Sequence, residues 1–134
     1  MFLFVDKPII PTLEDKIDQM LVSLLGSAQT RGKAYAKEAI KIYTTEYNQK
    51  HINMCVIFER IAKKYGYTEK SIATAISRYI NKNWYSGDAD FQDHIFSNTL
   101  TFRKPTPTPA RFIAAVSVEL SHSKYVESKK SEER

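Results

Sequence analysis

The stretch Glu59–Arg78 reads ERIAKKYGYTEKSIATAISR, two helical patterns joined at one glycine. Plotted at 100° per residue, the second pattern gathers Lys70, Thr74, Ser77 and Asn81 on one face, with Ala73 and Arg78 at its edges. That face is small, polar and rich in donors, and it carries no carboxylate beyond the first-turn Glu69. Such residue types suit recognition of a polyanion better than catalysis. Arg78 and Asn81 can donate to base edges, Ala73 and Thr74 can touch a thymine methyl, and Lys70 can reach a phosphate. Glu69 fits the cap and the helix dipole, although it could accept from cytosine. A helix face that is merely solvated more often mixes Glu with its Lys.

Other chemistry finds little footing. His51, His94 and His122 are far apart and never stand with Cys or Glu at ligand spacing, so no metal is expected. Asp88, Asp90 and Asp93 lack the glycine and the terminal glutamate of a calcium loop. Cys55 is the lone thiol and is expected in the core rather than as a nucleophile. There is no Gly-rich phosphate loop and no Ser/His/Asp arrangement, so neither an enzyme nor a cofactor is expected. The aromatic residues fall mostly at core spacing, which argues against single-strand stacking.

The elements that must position the polar face are legible nearby. Ala62 is the small residue that lets one helix cross another, and Gly66 tolerates positive φ at the turn. Ile61, Tyr65, Tyr67, Ile72 and Ala75 are spaced to close the angle between the two helices. Thr68 caps the second helix, leaving its amino end free to meet phosphate. A packed helical hairpin is the plain alternative, and charge bears on the choice. From Arg31 to Trp84 eleven bases oppose four acids, a net +7, within a chain of net +5. The flanking regions are acidic or neutral. A basic block of this kind suits a polyanion, and Arg31, Lys33, Lys63, Lys64 and Thr68 are candidate phosphate contacts.

The remaining chain of 134 residues reads as one all-α domain of about six helices, unrelated to winged helices. Thr12 and Asp15 form a capping box for a first helix through Leu13, Ile17, Leu21, Leu24 and Leu25, stopped by Gly26. A second helix runs from Lys33 to about Gln49 with Tyr35, Ala39, Ile42, Tyr43 and Tyr47 inward. Asn53 caps a third, Met54 to Tyr65, with Val56, Ile57, Ile61 and Ala62 apolar. The fourth runs from Thr68 to about Trp84, its core side being Ile72, Ala75, Ile76, Tyr79 and Ile80. Asp88 caps a short fifth, and Leu100–Arg103 is expected to be extended. Thr108 with Pro109 launches a sixth, lined by Phe112, Ile113, Val116 and Leu120. Segment 1–11 is a short apolar lead, with Phe2–Val5 either packed on the first helix or docked on a partner. Residues 12–122 form the domain, with the helix-turn-helix at about 54–84, and 123–134 a charged, disordered tail. No membrane span, signal segment or disulfide is expected, so the default location is the cytoplasm.

With the order of elements in hand, the chain resembles the C-terminal DNA-binding domain of the master sporulation response regulator of endospore-forming bacteria. The matching pieces are Arg31-Gly32-Lys33-Ala34-Tyr35, Lys37-Glu38-Ala39-Ile40, Ile61-Ala62-Lys63-Lys64-Tyr65 and Ala75-Ile76 with Trp84. Ser86-Gly87-Asp88, Pro107-Thr108 and Phe112-Ile113-Ala114 follow, so that the likeness spans roughly residues 13–122. It implies a six-helix domain that binds promoter DNA, often as head-to-tail pairs on repeated sites, and that touches RNA polymerase. Two departures stand out. The family carries a phosphoacceptor receiver ahead of this domain, whereas about a dozen residues precede the first helix here, so no phosphorylation switch is expected. The family's outward Glu-Arg and Arg-His pairs are replaced by Ala73-Thr74 and Ser77-Arg78.

The expectation is therefore a sequence-specific regulator that binds double-stranded DNA through a helix-turn-helix. The alternative is a receiver-less interaction module that modulates a full-length regulator or RNA polymerase without reading bases.

Overall fold

The computed structural model describes residues 12–46, 53–96 and 106–122. The lead segment 1–11, Tyr47, His51, the stretch 100–103 and the tail 123–134 lie outside the described residues. Six α-helices follow in order: α1 Leu13–Leu25, α2 Arg31–Glu46, α3 Met54–Tyr65, α4 Glu69–Asn83, α5 Ala89–Phe96 and α6 Pro109–Ser121. A single 3₁₀ turn, Trp84–Ser86, joins α4 to α5, and no strand occurs among the described residues. The all-α bundle expected from the sequence is the fold.

Each helix begins where a side chain can satisfy its unpaired amide groups. Thr12 and Asp15 close a reciprocal capping box on α1. Asn53 accepts from Val56 N–H, Thr68 from Ser71 N–H, and Thr108 from Arg111 N–H with Pro109 in the first turn. Asp88 accepts from the amides of Asp90 and Phe91 at the start of α5.

α2 is the central helix, packed against α1, α3, α4 and α6. Its inward stripe is Tyr35, Ala36, Ala39 and Ile40, all buried. Ile42 and Tyr43, expected inward, are only half-buried, because Ala36 and Ile40 sit on the stripe's centre line and these two fall beside it. α3 shows the same shift of phase. Ile57, Phe58, Ile61 and Ala62 face the core while Val56, one residue off the stripe, is exposed. Cys55 is likewise exposed rather than core. At the far end, Trp84 tilts against Phe96 and Phe96 stacks on Phe112, with centroid separations of 5.8 Å in each pair. Buried Gln92 ties this end together, donating from Nε2 to the carbonyls of Leu24 and Trp84 at 2.6 Å each.

Two glycines decide how the elements meet. Gly66 adopts φ +76°, and the amides of Gly66 and Tyr67 both reach the Ala62 carbonyl, which ends α3 in a left-handed cap. Gly32 lets α2 lie directly on α4, since a Cβ there would overlap the Ala75 carbonyl oxygen and the Tyr79 Cβ. The second contact seats the first turn of α2 against the middle of α4.

Candidate nucleic-acid interface

α4 is anchored by Ile72, Ile76, Tyr79 and Ile80, all buried. Ala75, expected with them, is half-buried. This phase turns Lys70, Thr74, Arg78 and Asn81 out to solvent and leaves Ala73 and Ser77 half-exposed between them. The six residues expected to face bases therefore share the outer side of one helix.

Next to that side lies a cleft lined by Arg31, Tyr35, Tyr67, Thr68, Lys70, Ser71, Thr74, Ala75 and Arg78. It brings together three cations, Arg31, Lys70 and Arg78, with five hydroxyl groups, and no carboxylate lines it. The amino end of α4 also lies here, through Thr68, Lys70 and Ser71, and Arg31 reaches in from the first residue of α2. A helix amino end carries partial positive charge on its unpaired amides, so the cleft favours an anion through the α4 dipole as well as through mobile cations. Arg31 stands in the first turn of α2, which contains no acidic residue. Its guanidinium lies over the Tyr67 ring, 5.9 Å from the centroid, which steers a long cation toward the cleft. The Thr68 hydroxyl is committed to the cap, accepting from Ser71 N–H at 3.1 Å and donating to Ser71 Oγ at 3.0 Å. What this turn offers an anion is thus chiefly its backbone amides.

Tyr65 and Tyr67, expected to close the angle between α3 and α4, do not do so from the core. They are 42% and 46% exposed. Each hydroxyl-bearing ring keeps a wet edge, and the closing is done by aliphatic Ile61 and Ile72. Tyr67 instead walls the cleft, and Tyr65 tilts against Tyr35 at 5.3 Å between centroids. Tyr35, Tyr67 and Ser71 were missed as site residues by sequence reasoning. Their only signal was position: each lies within a few residues of an expected contact, at an amino end of α2 or α4.

Ion pairs sort the basic block into two groups. Lys37 meets Asp18, Lys41 meets Glu14, Arg60 grips Glu46 through both guanidinium nitrogens, and Lys64 meets Glu38 at 2.5 Å. Arg31, Lys63, Lys70 and Arg78 make no ion pair among the described residues. Two of these, Lys70 and Arg78, stand on α4, and Arg31 joins them at the cleft. Lys64 is intermediate in character. It is exposed, but the Glu38 carboxylate holds its ammonium pKa above the ordinary value, and Tyr65 Oη donates to the same carboxylate at 2.9 Å. Lys33 departs from expectation. Its side chain is packed, with only 8% of the residue exposed, and it lines a separate hollow with Asp18, Gln29, Thr30 and Lys37. Two residues on from Arg31, it points about 200° around α2 and so leaves the phosphate-facing set.

Among the described residues no group of His, Cys, Asp and Glu is arranged to hold a metal ion. No described helix is long and apolar enough to cross a membrane.

Fold and face together define a class: an all-α domain built around a helix-turn-helix hairpin, with a basic outer surface on the second helix of the pair. A family model described as "Sporulation initiation factor Spo0A C terminal" matches residues 17–120, and the chain belongs to that family. It is a family of DNA-binding effector domains of a response regulator that controls transcription at the initiation of sporulation, not a family of enzymes.

Proposed function

We propose that this domain binds double-stranded DNA with sequence preference by seating α4 in the major groove. Lys70, Ala73, Thr74, Ser77, Arg78 and Asn81 face the bases. Arg31, Lys63, Lys64 and the capped turn at Thr68 hold the phosphates. The observation that carries this reading is the carboxylate-free cleft along α4 that Arg31, Lys70 and Arg78 line together. A cleft of that charge repels acidic partners least and attracts a phosphodiester most. An α-helix of 15 residues with a small polar outer face fits the groove's width.

Everything this docking uses lies within residues 12–122, so binding is expected without a phosphoryl donor. Family membership further supports paired copies on repeated half-sites, contact with RNA polymerase and action in the cytoplasm. Selection of bound sites from random duplex DNA tests the reading, because it reports binding, base preference and half-site spacing together. Enrichment of one motif is expected. Failure to enrich any duplex, or affinity that does not fall with salt, refutes it.

A further inference from the structure

Asn81 stands on the outer side of α4, four residues beyond Ser77, and its side chain is not free to turn. Thr106 Oγ1 donates to Asn81 Oδ1 at 2.6 Å. Asn81 Nδ2 lies 3.4 Å from Ser77 Oγ, a long contact that places the amide nitrogen back along the outer side of the helix. Thr106 is itself held in place. It precedes Pro107, which is buried, and Thr108, which caps α6, and α6 packs against α4. The carbonyl oxygen of Asn81 therefore faces a loop, while its NH₂ group faces the surface that α4 offers to DNA.

That orientation has a consequence for base reading. Asparagine recognises adenine by using both ends of its amide, donating to N7 and accepting from the N6 amino group. Oδ1 keeps a second lone pair, but the bond to Thr106 turns it toward the loop, so the donating end is the one presented to the groove. Donors match guanine O6 and N7 or thymine O4, whereas adenine offers only N7 beside an amino group that meets them donor against donor, and cytosine offers only its amino group. We infer that Thr106 is a specificity-determining residue: by holding the Asn81 amide, it makes Asn81 a donor-only reader that selects keto bases over amino bases at one position of the site. Thr106 acts through Asn81 and is a positioning residue.

The inference rests on α4 reading DNA, and its test separates the two. Site selection from random duplexes is run with the wild-type chain and with Asn81→Ala, Thr106→Val and Thr106→Ser. Asn81→Ala identifies the position concerned, where wild type prefers guanine or thymine by about tenfold and the variant shows little preference. Thr106→Val, close in shape but without the hydroxyl, shifts that same position toward adenine and leaves the others unchanged. Thr106→Ser, which keeps the hydroxyl, retains the wild-type preference. The inference is overturned if wild type favours adenine or cytosine there, if Asn81→Ala alters no position, if Thr106→Val leaves the preference intact, or if Thr106→Ser behaves like Thr106→Val. If the wild-type chain enriches no duplex, the DNA-reading proposal falls first and takes this one with it. A general loss of stability weakens every position alike and cannot imitate a change of base at one.

Discussion

Arg78 and Glu38 mark the two ways in which a single side chain tunes this surface. Arg78 is exposed at the edge of the α4 face and lines the cleft without a carboxylate partner. Arg78→Ala is expected to cost about 1–3 kcal/mol in DNA binding and to relax preference at one position, read from competition titrations on a selected site. Glu38 does the reverse, drawing Lys64 and Tyr65 to itself beside the basic surface. Glu38→Gln should strengthen binding to all sequences and steepen the salt dependence by about one released ion. The exposed pair it removes contributes little to folding. Cys55 offers a separate check on local electrostatics. Its thiol pKa is raised, chiefly by a hydrogen bond to the Glu69 carboxylate and then by its charge. Glu69→Gln should therefore increase the thiolate fraction near pH 8 and speed alkylation of Cys55. An unchanged rate would show that Glu69 does not govern the thiol.

At the scale of elements, helix boundaries were legible because caps have chemical signatures. Thr12, Asn53, Thr68, Asp88 and Thr108 each announce a start in the sequence, and each side chain makes the capping bond. Helix phase was less legible. Val56 and Ile42 are apolar and near the stripes of α3 and α2, and only the packing of neighbouring helices decides which of two adjacent apolar residues turns inward. The aromatic residues Tyr65 and Tyr67 were misplaced for a related reason, since a tyrosine at core spacing can equally present its ring to a wet cleft. Lys33 could not be separated from Arg31 by charge alone. The two glycines of the hairpin make contrasting predictions. Gly66→Ala meets no neighbouring atom, so its cost is the left-handed backbone, roughly 1–2 kcal/mol, with DNA binding retained. Gly32→Ala meets the backbone of α4, so α2 must move, costing about 1–3 kcal/mol and displacing Arg31 from the cleft. Urea denaturation alongside salt-dependent DNA titration distinguishes them. Equal effects on DNA binding would contradict the view that α2 and α4 build the cleft together.

Across the whole molecule, the aromatic lock and the proposed DNA interface occupy different parts of the bundle. The Trp84, Phe96 and Phe112 rings and Gln92 lock the ends of α1, α4 and α5, whereas the cleft lies along α4 from Thr68 to Arg78 beside Arg31 and Tyr35 of α2. Phe112→Ala should cost about 3–5 kcal/mol of folding stability. That is a large share of the roughly 5–15 kcal/mol typical of a domain. At a temperature where the variant remains folded, its base preference should be unchanged. Acid exposes a different support. Lys41 holds the Glu14 pKa below its ordinary 4.5, first by hydrogen bond and then by charge. A depressed carboxylate stabilises the fold above its unfolded pKa and loses that contribution as the pH falls through the folded value. The stability difference between wild type and Glu14→Gln should thus be fully present at neutral pH, begin to shrink below the ordinary 4.5 and be lost as the pH falls through the lowered pKa. Both the fold and the family were legible along the chain, because capping, spacing and the Ile-Ala-Lys-Lys and Phe-Ile-Ala pieces survive together. The chemistry of the reading face was legible in its residue types but not in its couplings. The tie from Thr106 to Asn81 spans 25 residues, and nothing local predicts it.

The central claim is that α4 still reads DNA with Ala73, Thr74, Ser77 and Arg78 on its face. Selection of bound sites from random duplex DNA by the wild-type chain tests it most directly, repeated with Arg78→Ala at two salt concentrations. The account predicts one enriched motif, affinity that falls steeply with salt, and loss of preference at a single position in the variant. Enrichment of no motif, or the same motif at every position with and without Arg78, would contradict it.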